Sequence, residues 1–259
     1  MFALAVLASA AIGPRWVLSL DQSFDGKAGL APDPKVWGRN LGGGGFGNEE
    51  LEFCTDGDEN AFLDGKGHLV LEARKEEREG YHYTSARLTT QGRFEQRYGR
   101  FEARMMLPSG QGIWPAFWMV GSNIKSVGWP ACGETDICEF VGKTPTTVYG
   151  TLNGPGYTGR DARQGRIHYD TLSTQFHTYG LEWTPNRMIW TFDGKPFHKV
   201  EAKDVAPHPW PFDKPQFLLL TLAVGGNFPG SPEASTLFPQ RLVVDWIRVW
   251  MDRSPPASN

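Results

Sequence analysis

Residues 99–108, GRFEARMMLP, alternate between apolar and polar side chains in the way that is typical of a β-strand. Successive side chains of a strand point to opposite faces, so residues two apart share a face. The apolar face of this segment is formed by Phe101, Ala103, Met105 and Leu107. We therefore predict a strand that has one face buried in a core.

Strand signals continue towards the C-terminus. Residues 187–200 contain an Asp-Gly pair at 193–194, which is typical of a two-residue hairpin turn. Residues 216–224 (QFLLLTLAV) are apolar on both faces, as in a strand covered on both sides, and residues 241–251 (RLVVDWIRVWM) alternate again. Gly or Pro interrupts the chain about every ten residues, and no long segment has a helical period. The pattern predicts an all-β fold, a sandwich or jelly roll.

The composition fits one large β-domain. The chain has 259 residues, and single β-sandwich domains often run to about 200–250 residues. Its 26 basic and 29 acidic residues exclude a strongly basic nucleic-acid-binding surface and give no reason to expect binding to an anionic membrane. The 10 Trp, 7 Tyr and 16 Phe exceed what a core needs and indicate a ring-lined binding surface. We expect a monomer.

The two ends of the chain are interpreted separately from the domain between them. Residues 1–12, MFALAVLASAAI, resemble the apolar part and cleavage site of a secretory signal, but the usual basic residues do not precede them. The alternative is a first strand of the fold. We predict a signal remnant or N-terminal strand at 1–13, a single domain at 14–253 and a disordered tail at 254–259, in a secreted or periplasmic protein.

Other residue types that often carry chemistry have weak patterns here. Cys54, Cys132 and Cys138 form no C-x-x-C pair, so we expect buried free thiols. Residues 42–47 match the G-x-G-x-x-G pattern of nucleotide-binding loops, but acidic residues follow them, which would repel a phosphate. The six His residues lack the spacing of metal ligands. We therefore expect neither a nucleotide site nor a zinc site.

The strongest chemical signal is residues 133–140, GETDICEF. Glu134 and Asp136 share one face of a strand, and Glu139 joins them only if one extra residue at 137–138 forms a β-bulge. Retaining glycosidases need two carboxyl groups about 5–5.5 Å apart, one as nucleophile and one as acid/base. The residues alone favour such a catalytic site, with a calcium-type oxygen site and an exposed edge strand with scattered acids as the alternatives.

GETDICEF resembles the E-x-D-x-x-E signature of glycoside hydrolase family 16, in the bulged form of laminarinase-like endo-β-1,3-glucanases. The resemblance covers most of the chain. It is carried by residues 83–88 (YTSARL), 98–103 (YGRFEA), 112–119 (GIWPAFWM), 129–142 (WPACGETDICEFVG), 176–185 (FHTYGLEWTP), 222–230 (LAVGGNFPG) and 244–249 (VDWIRV). It implies a concanavalin-like jelly-roll sandwich of two curved antiparallel sheets, with the substrate lying across the concave face.

The resemblance also implies a role for each acid. Glu134 is expected to be the nucleophile and Glu139 the general acid/base. Asp136 is expected to hydrogen-bond Glu134 and to help set the protonation of the three carboxyl groups. An acid at Glu139 needs a raised pKa, which neighbouring carboxylates in an aromatic cleft provide.

A set of substrate-binding residues is implied in the same way. They are Asn48, Arg87, Trp114, Trp118, Trp129, Asn153 and Phe228. The Trp rings are expected to bind the apolar faces of glucose units, and packing in the core is the alternative for them. Asn153 and Phe228 depart from the family, which usually has His and Trp there. These two positions therefore bear on substrate preference.

Asp245 is the candidate metal ligand. It lies in an alternation with Val243, Ile247 and Val249, so an acid stands in an apolar phase, where an unpaired carboxylate is costly. The resemblance implies a structural calcium ion at Asp245, and an Arg partner is the alternative. Catalysis itself is expected to need no cofactor.

The predicted function is that of a retaining endo-glycosidase. It is expected to hydrolyse internal β-1,3 linkages of β-glucans such as laminarin, so its partner is a β-glucan polysaccharide and neither nucleic acid nor a membrane. The alternatives are a mixed-linkage β-1,3-1,4-glucan or an algal galactan as substrate. A non-catalytic β-glucan-binding protein on the same fold is disfavoured, because all three acids are present.

Overall fold

The chain builds two stacked β-sheets in a computed structural model that describes residues 16–252. The interpretations of residues 1–13 and 254–259 therefore lie outside the described residues. The described helices are all too short to cross a lipid bilayer.

The described residues form eighteen strands, numbered in chain order. They are β1 (Trp16–Gln22), β2 (Gly38–Arg39), β3 (Glu52–Cys54), β4 (Ala61–Leu63), β5 (Leu69–Arg78), β6 (Tyr81–Ser85), β7 (Arg87–Thr89), β8 (Glu95–Gln96), β9 (Gly99–Met106), β10 (Ile113–Gly121), β11 (Glu134–Phe140), β12 (Thr147–Asn153), β13 (Arg163–His168), β14 (His177–Thr184), β15 (Arg187–Phe192), β16 (Lys195–Glu201), β17 (Gln216–Val224) and β18 (Gln240–Asp252). One helical turn, α1 (Ile124–Val127), and three 3₁₀ turns (Gly45–Gly47, Gly159–Asp161 and Ala202–Asp204) complete the elements.

Ten strands form one sheet and eight form the other. In sheet A the strand order is β16-β15-β14-β9-β18-β5-β6-β3, with β1 paired to β18 and β4 to β5. In sheet B the order is β13-β12-β11-β10-β17-β7-β2, with β8 paired to β17. Neighbours run antiparallel except β3 and β6, which are parallel. The predicted all-β sandwich is confirmed.

The core lies between the two sheets and draws residues from both. The apolar face of residues 99–108 is almost fully buried in it, as the alternation predicts. Strand β17 is buried along its whole length, which explains why it is apolar on both faces. The hairpin between β15 and β16 turns at Asp193 and Gly194, both with positive φ (46° and 74°), as a type I′ turn requires. All three cysteines are buried and free.

The predicted placement of Asp245 in an apolar phase is wrong. Strand β18 shifts register against β9 between Val244 and Trp246, so Asp245 is the extra residue of a bulge. Its side chain is about 30% exposed and pairs with the guanidinium of Arg104. The alternative interpretation, in which an arginine pairs with Asp245, therefore agrees with the structure.

The structural calcium ion expected at Asp245 stays a prediction, and the carboxylate of Asp245 is paired with Arg104. Within residues 16–252, no group of three or more His, Cys, Asp or Glu side chains is arranged to hold a metal ion.

Replacing a core side chain of β17 should destabilise the sandwich. Leu220 is fully buried between the sheets, and Leu220→Ala should lower the free energy of unfolding by about 2–5 kcal/mol through lost apolar burial and the cavity left behind. Urea denaturation followed by Trp fluorescence measures the change. Leu237→Ala, at a side chain that is 77% exposed, is the control and should stay within about 0.5 kcal/mol of the parent. Equal losses in the two variants would contradict this placement of β17.

Candidate active site

Three carboxyl groups share the face of sheet B that points away from sheet A, here called the open face. Across the ladder between β10 and β11, Glu134 pairs with Val120 and Asp136 with Trp118. The register then shifts by one residue, so Glu139 pairs with Ala116. Directly paired residues of antiparallel strands point to the same face. The predicted β-bulge is confirmed, and it places Glu139 on the side of the other two acids.

Sheet A supports the bulged strand from behind. Trp190 of β15 is fully buried, and its indole N–H donates a hydrogen bond of 2.7 Å to the backbone carbonyl of Asp136. Gly150 of β12 makes room for the indole ring, because a Cβ atom at this position would lie 2.4 Å from Cδ1 of Trp190. A glycine and a tryptophan on facing sheets thus set the position of the strand that carries the acids.

The carboxyl groups are held by neutral donors of β12. The amide Nδ2 of Asn153 lies 2.9 Å from Oε1 of Glu134 and 3.2 Å from Oδ2 of Asp136. The hydroxyl of Thr151 donates to Oε2 of Glu139 at 2.9 Å. Glu134 and Asp136 were expected to hydrogen-bond each other, but in the described structure Asn153 joins them instead. This places the Asn153 amide on the acids, whereas its expected contact with substrate stays a prediction.

Burial changes the protonation of all three acids. Asp136 is 5% exposed and Glu139 9%. Burial raises the pKa of Glu139 to about 7, opposed by the Thr151 hydroxyl and by the indole of Trp114. Burial, and then the negative charges of Glu139 and Glu134, raise the pKa of Asp136 well above its usual range. Asp136 therefore keeps its proton at neutral pH.

Glu134 differs from Glu139 in the groups that oppose protonation. Burial and then the charge of Glu139 raise the pKa of Glu134 to about 7, whereas Arg87, Trp129 and Asn153 lower it. Arg87 is the only cation among these groups. Because a positive charge favours the ionised form of a neighbouring carboxyl group, we assign the shared negative charge to Glu134 and the proton to Glu139.

Arg87 is held between two aromatic rings. Its guanidinium carbon lies 4.6 Å from the ring centre of Phe46 and 4.9 Å from that of Trp118. Trp118 is half-buried on the open face, where it forms part of the floor of the site and packs against a small apolar cluster that includes Val120 and Leu219. Phe46 escaped the sequence analysis. The signal that could have revealed it is an aromatic residue inside a run of glycines. In the structure its φ is 43°.

Further rings extend the open face on both sides of the acids. Phe228 packs edge-on against Trp114 and Tyr149, with ring centres 5.6 and 5.5 Å apart. Tyr149 pairs directly with Glu139, and sequence reasoning missed it. Trp129 is 52% exposed and lies beside Glu134. The structure thus brings Trp114, Trp129 and Phe228 to the site.

Two buried indole N–H groups of the floor lack an ordinary hydrogen-bond partner in the described part of the chain. Within residues 16–252, the buried N–H of Trp118 has no hydrogen-bond partner. That of Trp114 lies near enough to Glu139 to lower its pKa without the alignment of an ordinary hydrogen bond. The side-chain amide of Asn48, which was expected to bind substrate, donates a hydrogen bond of 3.3 Å to Glu50.

A separate cavity lies on sheet A. A cavity of about 400 Å³ on sheet A is lined by Phe62, Val70 and Val243, with Asp64 as its only acid. One carboxyl group cannot supply both an acid and a nucleophile. The chemistry therefore belongs to the open face of sheet B, where paired carboxyl groups with raised pKa values define a glycosidase-type site.

Known proteins share this arrangement of fold and sequence. The family model for glycosyl hydrolases family 16 matches residues 48–248. The laminarinase catalytic domain from Thermotoga maritima superposes with a TM-score of 0.87 at 45% identity, covering 92% of this chain and 99% of that one. A beta-glucanase from Rhodothermus marinus is 42% identical over 92% of this chain and 86% of its own. A glucan endo-1,3-beta-glucosidase from Cryptopygus antarcticus is 35% identical over 91% of this chain and 92% of its own.

The chain belongs to glycosyl hydrolases family 16 and is a glycoside hydrolase with the jelly-roll sandwich of that family. Relatives named as endo-1,3-1,4-beta-glycanases also occur, one of them 31% identical over 88% of this chain.

Removing the amide of Asn153 should move the acidic limb of the pH profile. Asn153 lowers the pKa of both Glu134 and Asp136, so Asn153→Ala should raise these values. The carboxyl group that must be ionised then gains its charge only at a higher pH, and the acidic limb of kcat/KM shifts upward. A pH series with a soluble β-glucan measures the shift. Asn186→Ala, in the exposed turn between β14 and β15 of the other sheet, is the control, and an acidic limb that stays in place in Asn153→Ala would contradict the assigned contact.

Proposed function

We propose that this protein is a retaining endo-glycosidase that hydrolyses internal β-1,3 linkages of β-glucans such as laminarin. One observation carries the mechanism: Glu134 and Glu139 share the open face, and a cation acts on the first alone. The names of relatives at 35–45% identity over most of the chain support the substrate.

The proposed first step forms a covalent bond to Glu134. Its ionised carboxylate attacks the anomeric carbon, the glycosidic C–O bond breaks, and Glu139 gives its proton to the departing oxygen. The raised pKa of about 7 keeps Glu139 mostly protonated in the resting enzyme below neutral pH. Asp136, neutral and held by Asn153, adds no second charge beside Glu134.

The second step releases the sugar with retained configuration. Glu139, now ionised, takes a proton from water while the water oxygen bonds to the anomeric carbon and the bond to Glu134 breaks. Thr151, which donates to Glu139, stabilises the ionised form that exists between the two steps. The three carboxyl groups then return to their starting protonation.

The open face supports a glucan as substrate. Its Trp and Phe rings offer apolar surfaces for sugar C–H faces, and the guanidinium of Arg87 offers donors to hydroxyls. Mixed-linkage glucan is the second candidate substrate, because relatives named for that activity occur. Asn153 and Phe228 are the positions at which preference for one glucan over the other is expected to be tuned.

A substrate panel tests the proposed specificity. The protein is incubated with laminarin, barley mixed-linkage glucan, cellulose, xyloglucan and agarose, and new reducing ends are measured. We expect the fastest cleavage of laminarin, slower cleavage of mixed-linkage glucan and none of the other three. A curved β-1,3 chain follows a curved sheet, whereas straight cellulose contacts it at few points. Faster cleavage of agarose or mixed-linkage glucan would reject the β-1,3-glucan assignment and leave the glycosidase assignment in place.

Azide rescue tests the roles of the two glutamates. Glu134→Gly should abolish hydrolysis, and added azide should restore transfer to give a glycosyl azide of inverted configuration, because the small anion fits the space of the lost carboxylate. Glu139→Ala should lose most activity on substrates with poor leaving groups, which need the proton. In the unsubstituted protein, NMR should show the retained anomer first, and an inverted first product would overturn the mechanism.

A further inference from the structure

A second pair of buried carboxyl groups is connected to the proposed catalytic acids through Arg87. Glu50 is 6% exposed and Glu52 only 1%. They belong to the segment that leads from the 3₁₀ turn Gly45–Gly47 into β3. The proposed reaction uses neither of them, yet burying two neighbouring carboxyl groups is costly unless they are paired.

Hydrogen bonds tie the deeper acid to sheet B and to its neighbour. Oε2 of Glu52 accepts the backbone N–H of Val224, the last residue of β17, at 2.8 Å. The carboxyl group of Glu50 lies within hydrogen-bonding range of Glu52. Two carboxyl groups in such contact hold one proton between them, because a second negative charge at the same place is unfavourable.

The outer acid of the pair contacts two residues of the substrate-binding set. Oε1 of Glu50 accepts the amide of Asn48 at 3.3 Å, and Oε2 lies 3.9 Å from Nη1 of Arg87. Arg87 is the guanidinium held between Phe46 and Trp118, and it also lowers the pKa of Glu134. The buried pair is therefore connected, through one cation, to the floor of the active site.

Few other groups around the pair can change charge. Arg87 faces it from β7, Cys54 follows on β3, and Tyr83 of β6 is the register partner of Glu52. Strand β17 and residues 225–230 contribute no titratable side chain. Burial, and then the charge of Glu52, raise the pKa of the Cys54 thiol, so it stays neutral. The shared proton is thus the charge within the pair that changes as the pH rises, whereas Glu134 and Asp136, reached through Arg87, titrate in every variant that is compared.

We propose that Glu50 and Glu52 form a proton-sharing pair of positioning residues that holds Asn48 and Arg87 in the geometry that binds β-glucan. The proposal rests on the proposed function. With one proton the pair carries one negative charge, which Arg87 balances. Loss of the proton adds a second charge that draws Arg87 towards the pair and away from the rings. Binding is therefore tight while the pair is protonated and weakens as the pH rises above its pKa.

Calorimetric binding on an inactive background tests the pair without interference from turnover. We use Glu139→Gln with a β-1,3-gluco-oligosaccharide, from neutral to alkaline pH, alone and combined with Glu52→Gln. In the single variant Kd should rise about tenfold across the series, the effect of losing a hydrogen bond to a charged group. In the double variant this tenfold rise should be lost, because the glutamine amide donates to Glu50 at every pH and its oxygen still accepts the N–H of Val224.

A matched control and a second variant complete the test. Glu49 is exposed in the same segment, so Glu139→Gln with Glu49→Gln should keep the pH-dependent rise. If thermal melting shows that Glu52→Gln does not fold, Glu50→Gln replaces it, since this change removes the carboxyl group that contacts Asn48 and Arg87 and should abolish the rise. A rise that persists in the folded pair variant overturns the proposal. Failure of the unsubstituted protein to cleave laminarin, with no oligosaccharide binding at neutral pH, overturns the proposed function instead.

Discussion

One extra residue in β11 is the constraint on which the chemistry of this molecule depends. Ile137 is taken up in a bulge between Asp136 and Glu139, and the bulge reverses the face on which all later residues of the strand lie. Without it, the carboxyl group of Glu139 would point between the sheets, where an unpaired acid is costly. The bulge is tolerated because Trp190 bonds the backbone of Asp136 from the facing sheet and Gly150 leaves room for its ring.

A single guanidinium organises the electrostatics of the open face. Arg87 stands between the acids of β11 and the buried pair formed by Glu50 and Glu52, and it favours the ionised form of Glu134. Its planar cation is well suited to lie between two rings, which fix its direction while leaving its edge free for hydrogen bonds. Five buried or half-buried carboxyl groups therefore coexist because they keep three protons among them, and Arg87 lies near both of the remaining negative charges.

The sequence predicted the structure best where the pattern of apolar and polar residues depends only on the local conformation of one strand or turn. The alternation at 99–108, the doubly apolar β17 and the Asp-Gly hairpin all took the predicted form. Asp245 was misplaced because its position depends on a bulge that forms only when β18 pairs with β9. Hydrogen bonds from Asn153 and Thr151 to the acids were equally hidden, since they join β12 to β11 across the sheet.

The sequence by itself determined the class of fold, the three acids of 133–140 and the need for a bulge between them. These follow from the periodicity of side chains along one strand, which is a local property of the chain. Only the tertiary structure decided which carboxyl groups keep their protons, which donors hold them and that Phe46 and Trp118 enclose Arg87. Those features depend on burial and on distances between strands that are far apart in sequence. The spacing of residues along one segment determines neither the burial nor the distances.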